Sequence, residues 1–118
     1  MAKNRHWGKD FWNELVGPHL RVDIDVETWR RGTVPSEKDS DQVHMTRDIL
    51  YIDLSRLGVE HEWHYTKDHA KWAVSETDDW VCVADINRQN SQEKRGGGTI
   101  CFRNKALWKS LSLIEKLK

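Results

Sequence analysis

Residues 66–88, TKDHAKWAVSETDDWVCVADINR, contain two apolar segments separated by polar residues. The segments HAKWAV (69–74) and WVCVAD (80–85) are rich in β-branched and aromatic residues, which favour strands. SETDD (75–79) between them has the composition of a turn. The stretch therefore predicts two consecutive strands, and GTICF (98–102) predicts another strand after a run of glycines.

Two segments have apolar residues at helical spacing. KDFWNELV (9–16) predicts a short helix, and we expect Gly17-Pro18 to end it because proline does not continue a helix. Residues 105–117 carry a leucine and isoleucine stripe that predicts an amphipathic C-terminal helix, with Asn104 as its N-cap.

The remaining segments complete a mixed pattern of strands and helices. LRVDIDVETW (20–29) alternates apolar and charged residues, which predicts a half-buried strand, and DILYIDL (48–54) predicts a buried one. Residues at about 30–46 are polar and predict a long loop. The expected class is α/β, with α+β as the alternative: a mixed β-sheet flanked by helices in one domain over residues 1–118.

Length and charge restrict the function. A chain of 118 residues buries one modest core, and its 19 basic and 19 acidic residues give no overall field that attracts nucleic acid, so an anion site has to be local. The sequence has no run of roughly 20 apolar residues, so we expect no membrane span. The start, MAKNRHWGKD (1–10), shows no apolar stretch, so no signal peptide is visible.

His69 and Lys71 are the first candidates for chemistry. Residues two apart in a strand project from the same face, so this pair presents an imidazole beside an ammonium. Lys71 would neutralise a phosphate oxygen, and His69 would act as nucleophile or proton donor. Asn87, just beyond the second strand, has an amide that binds a phosphate oxygen or orients a histidine. The H-x-K pattern alone is also typical of a solvated strand face.

Basic residues and glycines follow Asn87 and predict a phosphate-binding loop. The cations neutralise charge, and the glycines let backbone N–H groups approach an anion closely. A solvated turn and a flexible hairpin are the alternative interpretations. The predicted phosphate-binding residues are Arg88, Lys94, Arg95, Gly96 and Gly97.

Cys82 and Cys101 leave two interpretations open: two small buried apolar residues, or a disulfide that closes the loop between them. His61 and His64 in HEWH (61–64) would share one face if this segment were helical. Zinc sites commonly need three or four ligands, and no further ligand has matching spacing, so we expect no metal site.

Several of these segments, taken in order, resemble the C-terminal half of the deoxyribonuclease II family, the acid endonucleases of the phospholipase D superfamily. The matching segments are DHAKW (68–72), WVCVADINR (80–88), RGGGTIC (95–101) and ALWKSL (106–111), preceded by VGPHLRVDIDVETW (16–29). The resemblance implies one phospholipase-D-like repeat, a DNA substrate, a lysosomal or secreted location and no metal or other cofactor. It also implies a disulfide between Cys82 and Cys101.

The resemblance assigns catalytic roles to His69, Lys71 and Asn87, which match the family's H-x-K pair and downstream asparagine. Family enzymes join two repeats, and one histidine attacks phosphorus while the other protonates the leaving oxygen. This chain has one H-x-K. We therefore expect the second from a homodimer or a separate N-terminal half. The alternative is a catalytically inactive fragment or single repeat that acts as a nucleic-acid-binding or interaction domain.

Overall fold

The computed structural model describes residues 1–28 and 36–117, apart from the side chain of Asn90. A π-helical turn over Trp12–Val16 leads into α1 (Gly17–Leu20), and α2 (Lys105–Ile114) lies near the C-terminus. 3-10 turns span Ser55–Leu57, Tyr65–Lys67 and Asn90–Lys94. The strands are β1 (Ala2–Lys3), β2 (Ile24–Glu27), β3 (Glu37–Lys38), β4 (Met45–Asp48), β5 (Tyr51–Asp53), β6 (Glu62–His64), β7 (Trp72–Ser75), β8 (Trp80–Ala84), β9 (Gly97–Arg103) and β10 (Glu115–Lys116).

The strands form two sheets. The larger has seven strands in the order β1-β9-β8-β7-β2-β4-β3, and the smaller has the order β10-β5-β6. β2 and β4 run parallel, while the other paired strands are antiparallel. The predicted mixed sheet with helices is confirmed. Because the pairing is mostly antiparallel, the α+β description fits this arrangement better than α/β.

The central hairpin forms in the predicted stretch, but β7 begins at Trp72, so His69 and Lys71 precede the strand in which they were predicted. β7 and β8 pair with Ala73 opposite Cys82, and β8 and β9 pair with Cys82 opposite Cys101. A disulfide joins the two cysteines across these neighbouring strands, with 4.1 Å between their Cα atoms. The structure therefore decides between the two interpretations of the cysteines and confirms the disulfide.

The first helix differs from its prediction. It does not end at Gly17-Pro18 but continues through both residues to Leu20, and Arg21 ends it in the left-handed conformation with φ 58°. Pro18 lies at the start of α1, directly after the π-helical turn, where its fixed φ fits the helical backbone although it supplies no N–H. No helix among the described residues is long and apolar enough to cross a membrane.

β2 is shorter than predicted and buried on both sides. Its charged residues do not face solvent, since Asp25 is 2% exposed and Glu27 is 0% exposed. The prediction of a half-buried strand is therefore wrong. Acidic residues at alternating positions can pair with other side chains of the protein instead of facing solvent. Arg47 supplies one such partner, with its Nε 2.7 Å and its Nη2 3.1 Å from the Asp25 carboxylate oxygens.

Two other regions form strands that the sequence analysis did not predict. β3 and the start of β4 lie within the predicted polar loop at about 30–46, of which residues 30–35 fall outside the described part. Glu62–His64 form β6 instead of a helix, so HEWH does not place His61 and His64 on one helical face.

The main core lies between the first helix and one face of the large sheet. Its buried members are Phe11, Trp12, Val16, Val22, Ile24, Val26, Ala73, Cys82 and Ile86. Trp12 is fully buried, and its indole Nε1 donates to the carbonyl oxygen of Ile86 at 3.1 Å. This bond ties the loop after β8 to the N-terminal helix and satisfies the indole in an apolar setting.

α2 confirms the predicted C-terminal helix and its cap. The Asn104 side chain accepts a hydrogen bond from Leu107 N at 3.0 Å. The helix packs on β7 and β8, where the Trp108 indole donates to Ser75 O at 2.6 Å. β10 follows directly and pairs with β5, so the C-terminal segment joins the two sheets.

A buried pair of carboxyl groups lies where β10 meets β2. Glu115 forms a hydrogen bond with Asp25, and burial raises the pKa of Glu115 to about 9, with the neighbouring Asp25 adding to the effect and Arg47 opposing it. Two carboxylates in contact would repel each other, so a proton on Glu115 stabilises the pair. The Glu115 proton therefore helps to hold β10 against the large sheet.

We predict that Glu115→Gln removes part of the pH dependence of stability. The folded state of the wild type retains the Glu115 proton between about pH 4.5 and pH 9, whereas the unfolded state releases it, so stability falls as pH rises. One proton limits the slope to about 1.4 kcal/mol per pH unit. Glutamine keeps a donor for Asp25 at every pH, so urea denaturation should show a flatter profile and a more stable variant at pH 9. Parallel profiles for the two proteins would contradict this account.

Candidate active site

A polar cavity opens at the end of β8 and the start of β7. Its volume is about 600 Å³, and its lining residues are His69, Ala70, Lys71, Ala84, Asp85, Asn87, Gln92 and Arg95. The structure thus brings together all three predicted catalytic residues and one of the predicted phosphate-binding cations. An imidazole, an ammonium, an amide and a guanidinium around one cavity suit an anionic oxygen group.

His69 and Lys71 lie in the extended segment between the 3-10 turn Tyr65–Lys67 and β7. Both line the cavity, and Lys71 Nζ also donates to the backbone carbonyl of His69 at 2.8 Å. The backbone of Lys71 is fixed by Ala84 N, which donates to its carbonyl at 2.9 Å. The β7–β8 ladder therefore extends to the pair and holds it beside the end of β8.

Asn87 reaches the cavity from the loop after β8. Its backbone N–H donates to Gln92 Oε1 at 3.5 Å. Its side-chain Oδ1 is buried and makes no hydrogen bond to any described residue. A buried oxygen of this kind costs free energy unless it finds a donor.

Arg95 and Asp85 give the cavity charges of opposite sign. The Arg95 guanidinium donates to Asp85 O and, at 3.3 Å, to Gln92 Oε1. Asp85 accepts a hydrogen bond from Gly98 N at 2.9 Å, which occupies one of its carboxylate oxygens. With Lys71, the cavity therefore carries two cations and one carboxylate, and the carboxylate is held by the backbone of β9.

Arg88 is not a phosphate-binding residue in this structure, contrary to its prediction. Its side chain is 0% exposed, with Nε 2.9 Å from Asp48 Oδ1 and Nη1 3.2 Å from Asp10 Oδ2. Its neighbour Asn87 lines the cavity, whereas the Arg88 side chain is buried in the interior. The guanidinium neutralises two buried carboxylates and has no route to a surface anion.

Lys94, Gly96 and Gly97 also lie outside the lining of the cavity. Gly97 pairs with Lys3 of β1, and a Cβ atom at Gly97 would stand 2.5 Å from Asp85 Oδ1 and 2.6 Å from Ile86 Cδ1. Such distances exclude a side chain. Glycine at this position lets β9 pass close to the loop after β8, which explains it without an anion.

Asp68 is a supporting residue that the sequence analysis missed. Its Oδ2 accepts from the Trp63 indole at 2.9 Å, and its Oδ1 accepts from Ala70 N at 2.9 Å. These bonds anchor the chain on both sides of His69. The available signal was the aspartate itself, because an aspartate in a loop often accepts a hydrogen bond from the backbone N–H two residues later, in an Asx turn.

We predict that Arg88→Met lowers the free energy of unfolding by about 3–5 kcal/mol, because it leaves Asp10 and Asp48 buried without their cation. Urea denaturation measures the loss. The matched control is Lys94→Met, which removes an exposed cation from the same loop and should change stability by less than about 0.5 kcal/mol. Equal stability of the two variants would show that the buried ion pairs do not support the loop.

Comparison with known proteins identifies the family of the chain. The family model for deoxyribonuclease II matches residues 1–117. A putative deoxyribonuclease-2 of Burkholderia pseudomallei (strain K96243) is 63% identical over 115 residues, which cover 98% of this chain and 33% of the relative. Deoxyribonuclease-2 of Caenorhabditis elegans is 43% identical over 117 residues, covering 97% of this chain and 30% of the relative.

A mammalian relative is more distant. Deoxyribonuclease-2-alpha of Sus scrofa is 32% identical over 118 residues, covering 98% of this chain and 32% of the relative. The chain thus spans about a third of the length of the curated relatives it matches. The match extends over almost all of this chain, and on that basis the chain belongs to the deoxyribonuclease II family.

Proposed function

We propose that the cavity is one half of a site that hydrolyses DNA phosphodiester bonds. The observation that carries this proposal is the convergence of His69, Lys71, Asn87 and Arg95 on one cavity in a chain of the deoxyribonuclease II family. Lys71 and Arg95 neutralise the nonbridging oxygens of the phosphate. Asn87 orients either the phosphate or an imidazole. In this reading the chain is one phospholipase-D-like repeat.

Covalent catalysis by histidine needs two imidazoles in different protonation states. In the proposed first step, a ring nitrogen of His69 attacks phosphorus, a P–N bond forms, and the P–O bond to the leaving DNA oxygen breaks. A second histidine gives its proton to that oxygen. Water then attacks phosphorus and breaks the P–N bond, and the second histidine takes the proton of this water. The two roles exchange if His69 is the acid.

The second histidine has to come from outside this chain's cavity. The sequence contains one H-x-K, and the chain spans about a third of the length of its curated relatives. We propose that a second copy of the chain or a separate N-terminal half supplies the other H-x-K. Activity should be highest below neutral pH, where the donor histidine is protonated. The disulfide suits an oxidising setting, in keeping with a lysosomal or secreted protein.

A second candidate function is binding of nucleic acid without turnover. The observation that favours it is again that the sequence contains one H-x-K. A cavity that has the phosphate contacts but lacks the second histidine can hold a phosphate without cleaving the ester. In that case DNA binding would show the salt dependence of phosphate contacts, and nicking would be absent at every protein concentration.

We predict that plasmid nicking in EDTA at pH 5 is absent in a confirmed monomer and appears only in an assembly that contains two H-x-K motifs. If two copies form that assembly, the rate should rise with the square of protein concentration. His69→Ala should lower the rate by at least about 1,000-fold and Lys71→Ala by about 100-fold, through loss of the nucleophile or acid and of charge stabilisation.

The matched control is His19→Ala, which removes an exposed histidine of α1 and should nick as the wild type does. Mass measurement in solution establishes the oligomeric state of each sample. Full-rate nicking by a monomer, or by His69→Ala, would contradict the proposed mechanism. DNA binding without nicking in any assembly would favour the second candidate.

A further inference from the structure

A buried lysine near the start of the chain contacts the 3-10 turn Asn90–Lys94, which contributes Gln92 to the cavity. Lys3 of β1 is 9% exposed. Its ammonium donates to three backbone carbonyl oxygens, those of Gln92 at 3.0 Å, Glu93 at 2.8 Å and Arg95 at 2.6 Å. An ammonium has three donors, so these carbonyls use the whole hydrogen-bonding capacity of Lys3.

The three carbonyls belong to the end of the 3-10 turn Asn90–Lys94 and to Arg95 beside it. Gln92 O also accepts from Arg95 N at 3.2 Å, and carbonyls at the end of a short helix carry partial negative charge, so a cation suits them. Burial lowers the pKa of Lys3, while Asp10 and Glu93 raise it in part. The ammonium is thus a charge that the fold removes from solvent and places against this one turn.

The same segment also contributes two side chains to the cavity. Gln92 and Arg95 both line it. Gln92 Oε1 accepts from Asn87 N at 3.5 Å and from Arg95 Nη1 at 3.3 Å. A continuous set of hydrogen bonds therefore runs from Lys3 through the turn to Asn87 and Arg95. Lys3 itself lies outside the lining and does not reach a phosphate bound there.

We propose that Lys3 is a positioning residue for the phosphate cavity: its ammonium fixes the turn so that the Arg95 guanidinium meets the bound phosphate in its required orientation. The proposal rests on the proposed function, since it takes the cavity as a phosphate site. Without the Lys3 contacts the turn has to be ordered when the anion binds, and the entropy of ordering reduces affinity.

The test measures binding of inorganic phosphate by NMR titration of the intact chain at pH 5. Lys3→Met removes the donors with little change in side-chain length and should weaken phosphate binding about tenfold, which corresponds to about 1.4 kcal/mol. Amide exchange of residues 92–95, measured without phosphate, should accelerate. Lys109→Met, which removes an exposed lysine of α2, should bind phosphate as the wild type does.

Two further comparisons separate positioning from other effects of Lys3. If Lys3 acts through Arg95, then Lys3→Met should cause little additional loss in an Arg95→Ala background, whereas a general destabilisation would act equally in both backgrounds. A long-range attraction between Lys3 and phosphate would fade at high salt, and the positioning effect should persist at 500 mM salt. Lys3→Gln, which keeps a donor, should bind more tightly than Lys3→Met and serves if Lys3→Met does not fold.

The outcomes distinguish this proposal from the proposed function. If the wild type does not bind phosphate, the phosphate site itself is refuted and the positioning role falls with it. If the wild type binds phosphate, and both Lys3→Met and Lys3→Gln bind it as tightly as the wild type does, the positioning role alone is refuted. Additive losses in the Lys3→Met and Arg95→Ala cycle would also overturn it, because they would show that Lys3 does not act through Arg95.

Discussion

The contact on which the site depends most is the buried bridge from Arg88 to Asp10 and Asp48. These residues come from the N-terminal segment, the end of β4 and the loop after β8, and their ion pairs lie at 2.9–3.2 Å in a region closed to solvent. A guanidinium without partners would not be tolerated there, so the three segments have to meet. Asn87 is the preceding residue, and its place at the cavity follows from the place of Arg88.

The cavity is built from two kinds of support. The β7–β8 ladder and the Asp68 hydrogen bonds hold the His69–Lys71 side. The other side is a short 3-10 turn, which has few internal hydrogen bonds and relies on contacts to other parts of the chain. His69 and Lys71 are therefore held by the strand ladder and the Asp68 hydrogen bonds, and Arg95 by its neighbouring 3-10 turn.

The sequence predicted the elements whose signals are local. β7, β8 and β9 were indicated by their β-branched and aromatic residues, and α2 by its apolar stripe and by Asn104. The disulfide followed from resemblance to a family, since spacing alone left two interpretations open. The H-x-K pair was predicted within a strand that begins only at Trp72, and Asn87 was predicted just beyond the strand that follows it.

The rest depends on contacts between residues distant in sequence. Arg88 was assigned to phosphate because the pattern gives no indication of Asp10 and Asp48, and Lys3 was overlooked because its carbonyl partners carry no side-chain signal. The alternation of β2 was correct, but it could not show that Asp25 faces Arg47 rather than solvent. β1, β3 and β10 have two residues each, too few for any periodicity.

The central claim is that this one cavity is where the chain holds a phosphate. The most direct measurement is a crystal structure of the chain grown with tungstate, a tetrahedral oxyanion that scatters strongly. The account predicts a tungstate in the cavity, with oxygens within hydrogen-bonding distance of His69 and Lys71 and with Arg95 opposite them. Tungstate bound elsewhere on the chain, with the cavity occupied only by water, would contradict it.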